Sequence, residues 1–271
     1  MSIFETALKK SQARTDTAQA RVRERTPRPD VNASAAAMAQ AHKFKVAELD
    51  AATMERNRVI LQISDQSALR AYKILRTRLL QRMVSNDWNS LAITGTSTGE
   101  GKSLTAINLA VTLAQDVNTW VFLVDLDLQR PQMAGYMGMK FDRCLGDYLS
   151  GEASIDEIIY QPKGCERLAV IPNSRAFEHA SELLSSPRMV DLTQRLSSDI
   201  PRRIVIFDMP PLLASDDVLV FAPRVHGILL VVCEGITARG SLAKTKELLG
   251  DTKLIGTVLN QSSETNDSPY Y

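Results

Sequence analysis

The sequence predicts an α/β fold, a mostly parallel central sheet covered by helices on both faces. Three observations carry that expectation. Short runs that are almost wholly apolar, among them LAI, WVFLV, RIVIF and GILLVV, recur along the chain. Segments with helical spacing separate them, and aspartates close two of the runs, in WVFLVD and RIVIFD. Strands buried on both faces read as continuous apolar stretches, and strand–helix alternation is the pattern of parallel crossovers.

In chain order, residues 1–64 are expected to form a mobile or partly helical extension. Its start, MSIFETALKKSQAR, is weakly amphipathic through Ile3, Phe4, Ala7 and Leu8. The Ala, Gln, Thr, Arg and Pro-rich stretch beyond it, with RVRERTPRPD at its centre, offers too little apolar surface to offset the entropy of ordering. Order is expected from Asp65. In DQSALRAYKILRTRLLQRM, Leu69, Tyr72, Leu75, Leu79 and Met83 recur at three- and four-residue steps, so one stripe of a helix is apolar. There follow a strand at SLAIT, a helix from Lys102, a strand at WVFLVD, helical pieces through GDYLSGEASIDEII, and a strand at RLAVI. A helix then opens with Ser186 as N-cap and Pro187 at its first position, succeeded by RIVIFD, a helix near SDDVLVFA, GILLVV, a helix from Thr237 and a last strand at KLIGTVL. The main domain is read as residues 65–261 and the tail 262–271 as a flexible segment carrying Tyr270 and Tyr271.

Composition limits the function classes. A chain of 271 residues, 44% hydrophobic, supports one sizeable core. With 32 basic against 31 acidic side chains the net charge is +1, which gives no electrostatic reason to expect nucleic acid. Cys144, Cys165 and Cys233 have neither disulfide nor metal spacing and read as buried thiols of a cytosolic protein. His42, His179 and His226 likewise show no ligand pattern, and Trp120 and Tyr148 read as packing aromatics. The longest apolar run, ILLVVC, is far too short to span a bilayer, and the N-terminus lacks a secretory core.

Ligands in such sheets bind at the carboxyl ends of strands, and three of these ends carry phosphate or metal chemistry. TGTSTGEGKS, residues 94–103, links a strand to a helix. Its glycines, Gly95, Gly99 and Gly101, let the chain wrap closely. Lys102 supplies a charge for the outer phosphates and Ser103 a hydroxyl for Mg2+. The pattern G-x-x-x-x-G-K-[ST] wants glycine where Thr96 stands, but backbone N–H groups and the helix N-terminus bind the phosphates, so nucleotide binding through Gly99, Glu100, Gly101, Lys102, Ser103 and Leu104 remains the reading. Asp125 and Asp127, two apart after an apolar strand, would share one face of an extended backbone and so are placed to approach one Mg2+ directly or through water. Asp208, closing RIVIFD before Pro210 and Pro211, reads as the carboxylate behind the metal. The fold is therefore that of a P-loop NTPase.

The set GEGKS, DLD and IFDMPP, with LGDYLSGE, SELLSS, DMPPLLASDD and IGTVLN around it, resembles the bacterial tyrosine kinases of capsule and exopolysaccharide systems over about residues 65–260. The partitioning ATPases, broader relatives, usually carry an early lysine where Ser97 stands. The resemblance implies ATP and Mg2+ as cofactors, with Lys102, Asp125, Asp127 and Asp208 catalytic; Ser103 and the three aspartates would hold the metal, and Asn260 would lie near the adenine. It leaves open whether Asp125 is a base or chiefly a metal ligand. It implies autophosphorylation of Tyr270 and Tyr271 in trans by a homo-oligomer. It further implies a cytoplasmic protein held at the inner membrane by a polysaccharide co-polymerase. Two departures stand out. The family's E-x-x-R-x-x-R assembly helix reads Arg70, Lys73 and Arg76 here, and the arginine after the second aspartate is replaced by Gln129, with Arg130 beside it on what would be the opposite face of a strand. A kinase-inactive ATP-binding switch is the alternative, and a partitioning-type ATPase is the less favoured one.

Overall fold

The computed structural model describes residues 44–61, 65–197, 203–250 and 253–262. Expectations for the N-terminal helix, His42 and the two tail tyrosines lie outside them.

Eight strands form one sheet: β1 (Lys45–Ala47), β2 (Ser90–Gly95), β3 (Trp120–Asp125), β4 (Tyr160–Pro162), β5 (Leu168–Ile171), β6 (Arg203–Asp208), β7 (Gly227–Cys233) and β8 (Leu254–Asn260). Their order is β1-β4-β5-β3-β6-β2-β7-β8. Every pairing is parallel except β4 with β5. The helices are α1 (Ala51–Arg56), α2 (Gln66–Ser85), α3 (Lys102–Ala114), α4 (Met133–Met137), α5 (Leu145–Leu149), α6 (Ala180–Leu184), α7 (Pro187–Ser197), α8 (Asp217–Phe221) and α9 (Arg239–Leu249).

The alternation of side chains along each strand divides the core in two. Leu91 and Ile93 of β2, with Val121 and Leu123 of β3, pack against α1 to α4 on one face. Ala92, Phe122, Val124 and Phe207 meet α5, α6, α7 and α8 on the other. Strands β2, β3, β6 and β7 are buried along their whole length, which explains their uninterrupted apolar sequences. The Arg203 guanidinium lies 4.6 Å from the Phe122 ring centroid and donates to the carbonyls of Arg195 and Leu196 near the end of α7, so a buried cation meets the negative end of a helix.

Helix α2 buries the expected stripe: Leu79 and Met83 are enclosed, while Leu69, Tyr72 and Leu75 are partly buried against the core. Asp65 caps its start by accepting from the N–H groups of Ser67 and Ala68. Ser186 caps α7 through the Met189 N–H, as its sequence signal predicts. The three cysteines are buried free thiols.

The boundary near Asp65 requires correction. Residues 45–47 add a strand to the sheet, and α1 with the turn after it buries Met54, Val59 and Ile60 in the main core. The compact unit begins at Phe44, whose ring meets Trp120 and Phe122 edge to face.

Candidate active site

Strand β2 lies between β6 and β7, with β3 on the far side of β6. This order brings three strand ends to one rim. Asp125 and Asp208 are register partners on β3 and β6, so their Cα atoms stand about 4.8 Å apart. The turn after β6 is stitched to the loop after β2: the Leu212 N–H donates to the Gly95 carbonyl at 2.9 Å, and the Thr94 hydroxyl to the Pro210 carbonyl at 2.6 Å.

The loop itself is held from beneath by Glu100. Its fully buried carboxylate accepts from the N–H groups of Thr96 and Ser97 and from the hydroxyls of Thr96, Ser97 and Thr237. Burial alone would raise its pKa; the donors, Thr237 and Thr96 first, outweigh burial and hold it below the usual range. Thr96, where the common motif has glycine, is thereby accounted for: its hydroxyl and N–H both serve the Glu100 carboxylate. Gly95 is required because a Cβ would run into that same carboxylate. Gly101 is left-handed, with φ 86°, and a Cβ there would strike the Asn260 amide, which donates to the Glu100 carbonyl at 3.0 Å. Asn260 thus braces the loop from the end of β8 while also lining the cleft.

Helix α3 starts at Lys102, and its first N–H groups have no partner within the helix. Above them opens a cleft of about 920 Å3 lined by Gly99, Lys102, Ser103, Leu104, Asp127 and Asn260, among others. The Lys102 ammonium donates to Asp127 Oδ2 at 2.7 Å and to the Ser103 hydroxyl at 3.3 Å. Burial depresses its pKa, but Asp208, Asp127 and Asp125 reverse the shift and keep it charged.

The three aspartates have different surroundings. Asp125 is fully buried, and its two oxygens accept from the N–H groups of Asp127 and Met133. Burial, then the facing Asp208, push its carboxyl well above the ordinary carboxylate range. Asp208 is raised to about 6 by burial, against the pull of the Lys102 charge and the nearby Ser103 hydroxyl, which stands close but does not make a well-formed hydrogen bond to either carboxylate oxygen. Asp127 reaches the cleft but is paired with Lys102 and accepts from the Arg130 N–H.

The expectation that Asp125 and Asp127 share a strand face is therefore corrected: β3 ends at Asp125, and the chain turns through Asp127 so that only the second carboxylate lines the cleft. The same turn places both Gln129 and Arg130 along the cleft, rather than on opposite faces. Gln129 donates to Asp217 at 3.2 Å. Among the described residues no three His, Cys, Asp or Glu side chains form a ready-made metal cage. Mg2+ is commonly held by one or two carboxylates together with phosphates and water, and the orphaned oxygens of Asp208 beside the Ser103 hydroxyl fit that mode. In the assembly-motif helix, Arg76 donates to the Thr112 carbonyl of α3 and so braces the domain internally. Sequence reasoning missed Arg58, Tyr72 and Tyr136, which also line the cleft. Arg58 lies in the segment read as mobile, and the two tyrosines resemble ordinary core positions.

The AAA domain family profile matches residues 89–251. The chain is 31% identical to the tyrosine-protein kinase YwqD of Bacillus subtilis, over 80% of this chain and 91% of that one. The chain belongs to the bacterial tyrosine kinase family. It is also 29% identical to a protein named as the tyrosine-protein kinase EpsB of Ralstonia nicotianae, but that match spans only 28% of the longer relative. The kinase domain of Escherichia coli Etk superposes with a TM-score of 0.64 at 28% identity, covering 75% of this chain and 80% of that domain. The septum site-determining protein MinD of Pyrococcus horikoshii, solved with Mg-ADP, shares the fold at a TM-score of 0.53 and 21% identity, over 66% of this chain and 72% of that one. Among the described residues no helix is long and apolar enough to cross a membrane.

Proposed function

We propose that this chain is an ATP- and Mg2+-dependent protein-tyrosine kinase that phosphorylates Tyr270 and Tyr271 of its own tail. The observation that carries the reading is the convergence, at one cleft, of a charged lysine, a helix N-terminus, a serine hydroxyl and the Asp127 carboxylate, with the facing carboxylates Asp125 and Asp208 buried at the adjoining strand ends. In this reading the N–H groups from Gly99 to Leu104 and the Lys102 ammonium bind the phosphates. Ser103 and Asp208 hold Mg2+, which supplies the positive charge that a loose phosphoryl-transfer transition state requires. Asp125, enclosed and bonded to two N–H groups, positions the Asp127 turn. Asp127 is the carboxylate that meets the incoming tyrosine, and it takes the hydroxyl proton once phosphates draw Lys102 away. Strand β8 ends beside the loop, so the tail departs from the rim of a cleft.

The family membership supports a role with a membrane polysaccharide co-polymerase, holding the protein at the inner membrane while it controls polymerisation or export. The test is direct. Purified protein in Mg-ATP, alone or with the partner's cytoplasmic fragment, should gain phosphate on Tyr270 or Tyr271 by mass spectrometry, and the Lys102→Met variant should not. ATP binding without any transfer would instead favour the kinase-inactive switch. Gln129, tied to Asp217 in place of an arginine, is the feature that favours that second reading.

A further inference from the structure

Part of the cleft lining is supplied by the turn after α1, through Arg58. Helix α1 ends in a Schellman arrangement: the Arg58 N–H donates to the Glu55 carbonyl at 3.0 Å and the Val59 N–H to the Met54 carbonyl at 2.8 Å. The residue after the C-cap in such an end is left-handed and usually glycine, because a side chain there crowds its own backbone. Here it is Arg58, with φ 59°.

The turn is clamped in place. The buried Asn108 side chain of α3 donates to the Arg58 carbonyl at 3.1 Å and accepts from the Ile60 N–H at 2.8 Å. Asn57 donates to the Tyr136 carbonyl of α4 at 3.1 Å. Asn108 lies five residues beyond Ser103, about 7.5 Å along the helix axis, so Arg58 is anchored one to two turns from the phosphate-binding end. Of the described non-glycine residues with positive φ, Arg58 is the one that brings a cation to this cleft.

We infer that Arg58 is a phosphoryl-binding residue, whose guanidinium on the cleft lining meets the group beyond the β-phosphate. The inference rests on the nucleotide-binding reading of the cleft. A strained arginine occupies a slot that glycine would fill more comfortably, and the turn carrying it is fixed by three side-chain hydrogen bonds, as a preorganised anion contact requires. Arginine's fork suits a phosphate's paired oxygens. Two sources present that chemistry: the terminal phosphate of ATP and the phosphate of a newly made phosphotyrosine.

Arg58→Gly separates structure from function, because it relieves the left-handed strain while removing the cation. Calorimetry on the wild type, Arg58→Gly and Arg58→Lys would use Mg-ADP, a Mg-bound nonhydrolysable ATP analogue, and a peptide copying residues 262–271 with and without phosphate on Tyr271. Arg58→Gly should melt at or above the wild-type temperature. It should lose about tenfold in one preference, triphosphate over diphosphate or phosphopeptide over peptide. Arg58→Lys, equally strained but charged, should retain part of that preference. A loss confined to the nucleotides assigns Arg58 to ATP's terminal phosphate; a loss confined to the peptides assigns it to phosphotyrosine. Both preferences unchanged in Arg58→Gly, with nucleotide still bound, overturn the inference and leave the nucleotide site standing. A wild type that binds neither nucleotide overturns both.

Discussion

At the residue scale, two buried carboxylates, one within the phosphate loop and one at the end of β6, have opposite relations to the fold. Glu100 is satisfied by five donors. Glu100→Ala strands the Thr96 and Ser97 N–H groups in a buried place, a loss of about 3 kcal/mol; for a chain of this size the melting temperature should fall by roughly 6–12 °C. Differential scanning fluorimetry checks this, and ATP affinity should fall with it because the loop loses its support. The depressed Glu100 pKa also fixes a sign. Its contribution is present above the unfolded value of about 4.5 and lost as pH falls through the lower folded value, so Glu100→Gln should flatten the acid limb of the stability curve. Asp208 is the reverse case, enclosed with both oxygens unpartnered and its pKa raised to about 6 by burial. The neutral isostere Asp208→Asn should therefore melt higher than wild type without ligand, yet lose the extra rise that Mg-ATP gives over ATP with a chelator. An unliganded Asp208→Asn protein that melts lower would show that this carboxylate supports the fold rather than awaiting a cation.

At the scale of elements, two of the three side-chain hydrogen bonds that fix the turn after α1 come from one residue, Asn108. Asn108→Ala removes the donor to Arg58 and the acceptor from Ile60, and hydrogen exchange should show protection falling at residues 57–60 while β2 and β7 keep theirs. Protection unchanged at Ile60 would mean that the buried contacts of Val59 and Ile60 alone fix the turn. This turn also marks where the sequence was hard to read. Strands β2, β3, β6 and β7 were legible because burial on both faces leaves an uninterrupted apolar signature, and α2 because its stripe, Leu69 to Met83, repeats over about four turns. Strand β1 has three residues, two of them exposed, at the sheet edge; β4 contains Pro162 and pairs antiparallel with β5. Neither is long enough to show a period, so the segment from Phe44 to Leu61 read as an extension. In the candidate site, the gathering of Lys102, Ser103 and the aspartates at one end of the sheet was legible from residue type and from their places at the ends of apolar runs. The pairing of Asp127 with Lys102 and the burial of Glu100 were not, because both depend on how the chain turns after a strand or within a loop.

For the whole molecule, sheet order decides which chemistry is within reach. Strands β3 and β6 set Asp125 against Asp208, β2 delivers the loop between β6 and β7, and β8 ends where Asn260 touches the loop. Gln261, the next residue, itself lines the cleft. The eight residues from Ser263 to Tyr270 extend at most about 28 Å, enough to leave the rim for a neighbouring molecule, whereas returning to the cleft beside their own root requires the chain to reverse within those few residues. Transfer between molecules is thus the expected route, and complementation tests it. Lys102→Met protein with an intact tail, mixed with Tyr270→Phe/Tyr271→Phe protein with an intact cleft, should become phosphorylated on the former chain, at a rate that rises with the concentration of the latter. Phosphate that appears on wild-type protein at a rate per molecule independent of dilution, with no transfer in the mixture, would place the reaction within one chain and make the reversal of the tail its controlling step.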